Sequence, residues 1–359
     1  MKTHYECADL VFRTQGPLFI GSGKQYGKTE YLFSSTDKKY IVLNELKFID
    51  FLIKNNLLDA YESFIMQSQP DLLDFFRSWQ VDDQTLLQLA QYTGDSGDVL
   101  KEGRSRKNIV CFVRNGRNEI YIPGSSIKGA LRTALLWEIL KSTRLPEGLI
   151  NARANEIEAS LLNTLPHYAK RPNDMLNSVM KSIQVADSAP LDNNALFLTD
   201  KQDISVQGQA KPLSALVREC IKPGTEFRMR LTIDTSIQKK ITMKTIEQAI
   251  ANFGKTYKDT FVSAFRLPPQ TEQSDYTSCL VLGGGSGYFG KSIHYAMYTK
   301  KEAVKKTSEV MMRAFKSHHH ENDEQLGISP HMLKYGRFKG RYAPFGLVHV
   351  RLDSEGSHD

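Results

Sequence analysis

The chain has 359 residues, 40% hydrophobic and 10% aromatic, with 47 Lys and Arg against 40 Asp and Glu for a formal net charge of +7. That composition suits a globular protein with room for two domains, and no apolar run reaches the length of about 20 residues that spans a bilayer. The opening residues MKTHYECADLVF lack a secretory apolar stretch, and Cys7, Cys111, Cys220 and Cys279 stand far apart without a CxxC pair, so a soluble cytoplasmic protein with buried free thiols is expected, not a zinc ribbon or a disulfide framework.

In chain order, 8 to 20 and 29 to 43 read as strands joined by a Gly-rich turn bearing Lys24 and Lys28. Asn44 to Tyr92 reads as several helices with apolar residues three and four apart. Thr93 to Arg106, rich in Gly, Asp and Ser, reads as an irregular connection or a mobile loop. Strands at 109 to 113 and 118 to 122 flank a turn at Asn115 and Gly116 and lead into a long helix with Ile127, Leu131, Leu135 and Ile139 at helical spacing. More helix follows to about Lys181, then strands near 183 to 187, 194 to 199, 213 to 220 and 225 to 233. A helix from about 241 to 264, a strand at 279 to 282, a glycine-rich loop, helical segments to about 317, a His- and acid-rich loop and a last strand at 346 to 352 complete the pattern. This is an α+β order with mostly antiparallel strands, and it fits two ferredoxin-like (RNA-recognition-motif-like) domains. The first would span 1–205 with a helical insertion at about 44–106, and the second 206–359 with the glycine-rich loop.

Charge is segregated along the chain. Asp50 to Asp98 carries nine acidic residues against only Lys54 and Arg77. Gly103 to Asn118 has Arg104, Arg106, Lys107, Arg114 and Arg117 with no acid, and Leu326 to Leu352 has Lys334, Arg337, Lys339, Arg341 and Arg351 with none. The basic stretches suit a polyanion and the acidic one a protein neighbour, although a solvated charge run is the plain alternative for each.

The most informative passage is Tyr121 to Arg132, YIPGSSIKGALR. Pro123 and Gly124 end an extended segment, Ser125 or Ser126 can cap the helix, and Lys128 and Arg132 share one helical face. Backbone amides at the helix start, with the positive end of its dipole, would make an anion site there; an ordinary capped helix with a solvated basic face is the alternative. This segment resembles the signature helix of the RAMP superfamily, the RNA-recognition-motif-like proteins of CRISPR systems. Pro17 to Gly23 (PLFIGSG) resembles the family's first strand and turn, and Leu282 to Lys291 (LGGGSGYFGK) its late glycine-rich loop. Ser329 to Val350, with Leu333, Lys334, Tyr335, Lys339, Gly340, Arg341, Phe345 and Gly346, resembles the end of a Csm subunit of type III-A CRISPR effector complexes.

The resemblance implies a CRISPR RNA-binding subunit that caps the complex near the 3′ end of that RNA. Its partners would be other Csm subunits, namely the repeated backbone RAMP subunit and a small helical one. It also implies support for 3′ trimming through recruited host nucleases. The family's Gly-x-x-Asp cleavage arrangement is missing around Glu30 and Asp37, so that activity is not carried over. The expected RNA-binding residues are Lys24, Ser125, Ser126, Lys128, Arg132, Gly283, Gly284, Gly285, Gly287, Lys291, Arg337, Lys339 and Arg341, with no catalytic residue, no metal and no cofactor.

Other motifs point elsewhere. Gly285 to Ser292, GSGYFGKS, matches the P-loop pattern, but a P-loop domain needs a parallel sheet built largely downstream, and only 67 residues follow Ser292. The same glycines suit close approach of main-chain amides to an RNA backbone, with Lys291 adding charge. His318, His319 and His320 with Glu321, Asp323 and Glu324 either ligate a metal or form a solvated polar loop, and the loop is the expectation. His4 and His294 are candidates for acid–base work or plain structural histidines. Tyr335, Arg337, Phe338, Lys339, Arg341, Tyr342 and Phe345 interleave stacking planes with cations, or form a strand pair with aromatic core residues. The rival to the scaffold is an endoribonuclease acting in CRISPR RNA processing.

Overall fold

In Tyr5–Thr14, buried Ala8, Leu10, Phe12 and Thr14 alternate with more exposed neighbours, which makes the segment a strand with one face on the core. The computed structural model describes residues 4–34, 38–68, 70–99, 107–143, 154–163, 170, 175–237 and 241–354. Its elements begin with β1 (Tyr5–Thr14), β2 (Gly21–Tyr26), β3 (Tyr31–Ser34) and β4 (Lys39–Leu43), then α1 (Glu45–Lys54), α2 (Leu58–Ile65), α3 (Leu72–Ser78) and α4 (Asp83–Gln88). There follow β5 (Ala90–Asp95), β6 (Ile109–Phe112), α5 (Gly124–Ser142), α6 (Ala154–Leu162), β7 (Ile183–Val185), β8 (Leu196–Ser205), β9 (Ala210–Ile221) and β10 (Glu226–Asp234). Last come α7 (Met243–Thr260), β11 (Cys279–Val281), α8 (His294–Met297), α9 (Lys300–Ala314), α10 (Asp323–Leu326), β12 (Met332–Phe338), β13 (Arg341–Pro344) and β14 (Leu347–Ser354).

One sheet runs β11-β14-β1-β10-β7, antiparallel throughout. The first and last strands of the chain therefore lie side by side, with Phe12 opposite both Phe227 and Val350. The long helices α5 and α7 pack on each other and on this sheet. Trp137 of α5 meets Phe253 and Phe261 edge-on at about 6 Å, and its Nε1 donates to Ser292 O at 2.8 Å.

The second sheet runs β2-β6-β9-β8-β5-β4-β3, and β12 joins it through β8 and carries β13. Helices α1 to α4 cover part of it with a separate small core of Leu32, Ile41, Phe48, Leu52, Phe75 and Phe76. Asn44, Asp71 and Asp82 cap α1, α3 and α4 by accepting backbone amides.

Four expectations change. β1 stops at Thr14, and the expected Gly-rich turn is the edge strand β2, exposed along most of its length. The expected strand at 118 to 122 reduces to a bridge at Ile120. Thr93 to Asp95 belongs to β5, paired with β4; Arg104, Arg106 and Asp37 lie outside the described residues. The segment from 332 to 344 is a strand pair, because Leu333 and Tyr335 find buried places against β8.

Candidate nucleic-acid interface

The signature helix begins at Gly124, ahead of both serines expected to cap it. Pro123 is its N-cap residue, neither Ser125 nor Ser126 caps with its side chain, and the Gly124 amide donates to Asp187 Oδ1 at 2.7 Å. The entry runs so close to β7 that a Cβ on Gly124 would sit 2.1 Å from Val185 O, which leaves no room for the capping turn expected from sequence. Lys128 is half-buried, and loss of hydration pulls its pKa below the ordinary lysine value. Arg132 is ion-paired with Glu158 of α6, so it is not the free phosphate ligand that its helical face suggested. Gly129, between them in sequence, is exposed, and an added Cβ there meets nothing within 4 Å.

The glycine-rich loop is held against the segment that follows β1. Gly283 has φ +70°, and a Cβ on it would lie 2.0 Å from Phe19 O. The Gly284 amide donates to Phe19 O and the Leu282 amide to Gly346 O, both at 2.8 Å. Gly284 is thereby removed from the amides open to a phosphate. Those of Gly283, Gly285 and Gly287 have no protein acceptor among the described residues. Lys291 lies exposed at the end of the loop, although partial desolvation lowers its pKa. The P-loop topology is not built: β11 sits at the edge of an antiparallel sheet, α8 has four residues, and Ser292 is buried with its hydroxyl accepting the His294 amide.

At the C-terminal end, Tyr335 and Phe345 are core residues. The Arg337 guanidinium lies 5.5 Å from the Tyr342 ring, with its Nε buried and unpartnered. Lys339 is exposed at the β12–β13 turn, with its Nζ 5.3 Å from the Phe338 ring. Arg341 is paired with Glu272 at 2.8 Å. Lys339, Arg341 and Arg13 line an open hollow of about 700 Å³, but Glu272 and Asp275 line it too. The free run of cations and stacking rings predicted from sequence is thus a strand pair with one unpaired lysine at its tip.

Sequence reasoning missed Lys201 and Arg218. Lys201 of β8 is paired in register with Gly336 of β12, and Arg218 of β9 with Thr199 of β8. Arg218 reaches to 5.7 Å from the Phe19 ring, and neither residue has an ion-pair partner among the described residues. Lys334 stands beside them, bound to Asp203 at 2.7 Å, and its stem lies against Gly287. Burial first, then the charges of Lys334 and Arg218, lower the Lys201 pKa against the pull of Asp203. Three cations around one carboxylate beside an amide-rich loop form a site able to receive a polyanion. No window of the sequence could reveal it, because its members lie on three strands. Lys24 stands apart on the exposed edge strand β2.

The His-rich loop is not the solvated loop expected. His318 and His319 are exposed, but His320 and Asp323 are buried, and with His331 they form one hydrogen-bonded group. His294 is engaged by the Tyr288 hydroxyl at 2.7 Å, and burial lowers its pKa.

Residues 11–272 match the RAMP superfamily profile. The chain is 30% identical over 303 residues to the CRISPR system Cms protein Csm5 of Streptococcus thermophilus, covering 82% of each chain. It is 27% identical to Csm5 of Enterococcus italicus over 86% of each, and 25% identical to Csm5 of Mycobacterium tuberculosis over 93% of this chain and 94% of that one. Its fold is similar to a chain of the cryo-EM Csm-crRNA-target RNA ternary complex of a type III-A CRISPR-Cas system, with TM-score 0.73 at 17% identity over 96% of this chain and all of that one. The crystal structure of T. onnurineus Csm5 gives TM-score 0.65 at 18% identity over 94% and 99%. No helix among the described residues is long and apolar enough to cross a membrane. The chain belongs to the RAMP superfamily and, within it, to the Csm5 family of CRISPR proteins.

Proposed function

We propose that the chain is a non-catalytic RNA-binding subunit of a type III-A CRISPR ribonucleoprotein, capping it at the 3′ end of the CRISPR RNA and supporting 3′ maturation and assembly. The observation that carries this reading is the unpaired Lys201 and Arg218 beside Lys334 and the open amides of the glycine loop. Like charges packed this closely repel one another, and a phosphate backbone relieves that repulsion without reading bases. A capping subunit must accept any spacer sequence, so backbone contacts are what it needs. The complex named for the neighbouring fold contains crRNA and Csm proteins, which supports the same partners here. The five-stranded sheet with α5 and α7 on it supports a ferredoxin-like unit in which β14 is inserted between β11 and β1.

Incubation of the purified chain with labelled single-stranded RNAs of unrelated sequence, with and without Mg²⁺, tests the proposal. Binding of similar strength to all of them, without cleavage, is the expected outcome. Cleavage that survives repurification would favour the endoribonuclease instead.

A further inference from the structure

We propose that His320, Asp323 and His331 form a binding site for one borderline transition-metal dication, zinc foremost. One ligand atom from each residue falls within 4.8 Å of the others. Asp323 is fully buried and accepts from His320 Nδ1 at 2.9 Å, His331 Nδ1 at 2.5 Å and Ser329 Oγ at 2.5 Å. The two imidazole centroids are 4.7 Å apart, and the Ser308 hydroxyl donates to His320 O at 2.7 Å, fixing the backbone that carries one of them.

Charge and donor type select the ligand. The Asp323 carboxylate is buried and takes its hydrogen bonds from His331, Ser329 and His320. Among the described residues no Lys or Arg pairs with Asp323. A buried carboxylate of that kind is costly, and a dication neutralises it. Two imidazole nitrogens and one carboxylate oxygen suit zinc and its neighbours, not calcium or magnesium, which prefer oxygen donors. Metal bonds of about 2.0–2.2 Å place such donors roughly 3.3 Å apart, and the three ligand atoms already lie within 4.8 Å of one another. Each imidazole then shifts its proton to Nε2, and water or hydroxide completes the coordination. The ion would tie the turn after α9 to the foot of β12, the strand bearing Lys334 and Arg337.

The test uses the full chain stripped with a chelator, dialysed, and titrated with Zn²⁺ and with Co²⁺. We expect one equivalent of either ion, visible absorption from bound Co²⁺, and a rise in thermal midpoint with Zn²⁺. His331→Ala should weaken binding at least tenfold, and His331→Cys should keep binding while changing the Co²⁺ spectrum, which a purely structural role would not produce. The double variant His318→Ala with His319→Ala should bind as the parent does. The proposal is overturned if the stripped parent takes up less than one equivalent, if His331→Ala binds equally well, or if the exposed double variant abolishes uptake.

Discussion

Asp187 holds the start of the signature helix through its carboxylate, which accepts the Gly124 amide at 2.7 Å. A negative side chain therefore occupies the end of α5 where the dipole attracts anions, and it competes with any phosphate brought there. Asp187→Asn should leave the fold intact, cost on the order of 0.5–1 kcal/mol in stability, and raise RNA affinity two- to threefold. Chemical denaturation and fluorescence anisotropy measure the two effects; affinity that falls would remove the helix start from the interface.

Gly129 offers a sharper test of the same helix. It is exposed in α5 with open space where a Cβ would go, so packing gives no reason for a glycine there. Gly129→Ala should stabilise the free chain by about 0.5–1 kcal/mol through helix propensity alone. If RNA passes close to this backbone, the same change weakens binding severalfold. A variant that is more stable and binds RNA unchanged would place the RNA elsewhere.

Lys201 and Arg218 should act as phosphate ligands. Replacing both by Ala should weaken binding to unrelated single strands by a common factor and flatten the slope of log affinity against log salt by about 1.4, as two lost contacts require. Lys339→Ala should have a smaller effect, and Arg341→Ala smaller still, because Arg341 already has Glu272. Loss restricted to one RNA sequence would contradict backbone recognition.

Glu219 is the buried hub between β9 and its neighbours. Its Oε1 accepts the Tyr40 and Tyr92 hydroxyls at 2.8 and 2.6 Å, and its Oε2 accepts the Phe112 amide at 2.9 Å. Glu219→Ala would strand three buried donors and should cost about 3 kcal/mol or more, whereas Tyr40→Phe and Tyr92→Phe should each cost about 1–2 kcal/mol. Urea denaturation of the free chain checks the ranking, and a Glu219→Ala loss no larger than either Tyr→Phe loss would refute the hub.

The helical insertion should serve assembly and not RNA binding. Leu46, Ile49 and Ile53 are exposed along one face of α1, and Met66 is almost fully exposed after α2. Replacing Leu46, Ile49 and Ile53 by Ser should reduce co-purification with the other complex subunits and leave RNA affinity of the free chain unchanged. Charge reversal at the exposed acids Asp59 and Glu62 should likewise reduce co-purification and leave RNA affinity unchanged. Equal co-purification of the Ser variant would remove the insertion from the interface.

Local pattern determined much of this protein. The alternation in β1, the helical spacing of Ile127, Leu131 and Leu135, and the apolar repeats of α1 to α4 each depend on neighbours a few residues away, so they are legible in one dimension. The family signature at Tyr121 to Arg132 is legible for the same reason. What the sequence could not determine is how distant residues pair. Asp187 reached the helix start, Glu158 claimed Arg132, Glu272 claimed Arg341, and the glycine loop used Gly283 and Gly284 to pack on Phe19. Lys201 and Arg218 became neighbours of Lys334 only when β8, β9 and β12 joined one sheet, and His331 met Asp323 only when the loop folded back on α10. A carboxylate partner or a close backbone contact decides whether a charge or an amide is free for a ligand. Both depend on strand order and register, which only the tertiary structure sets.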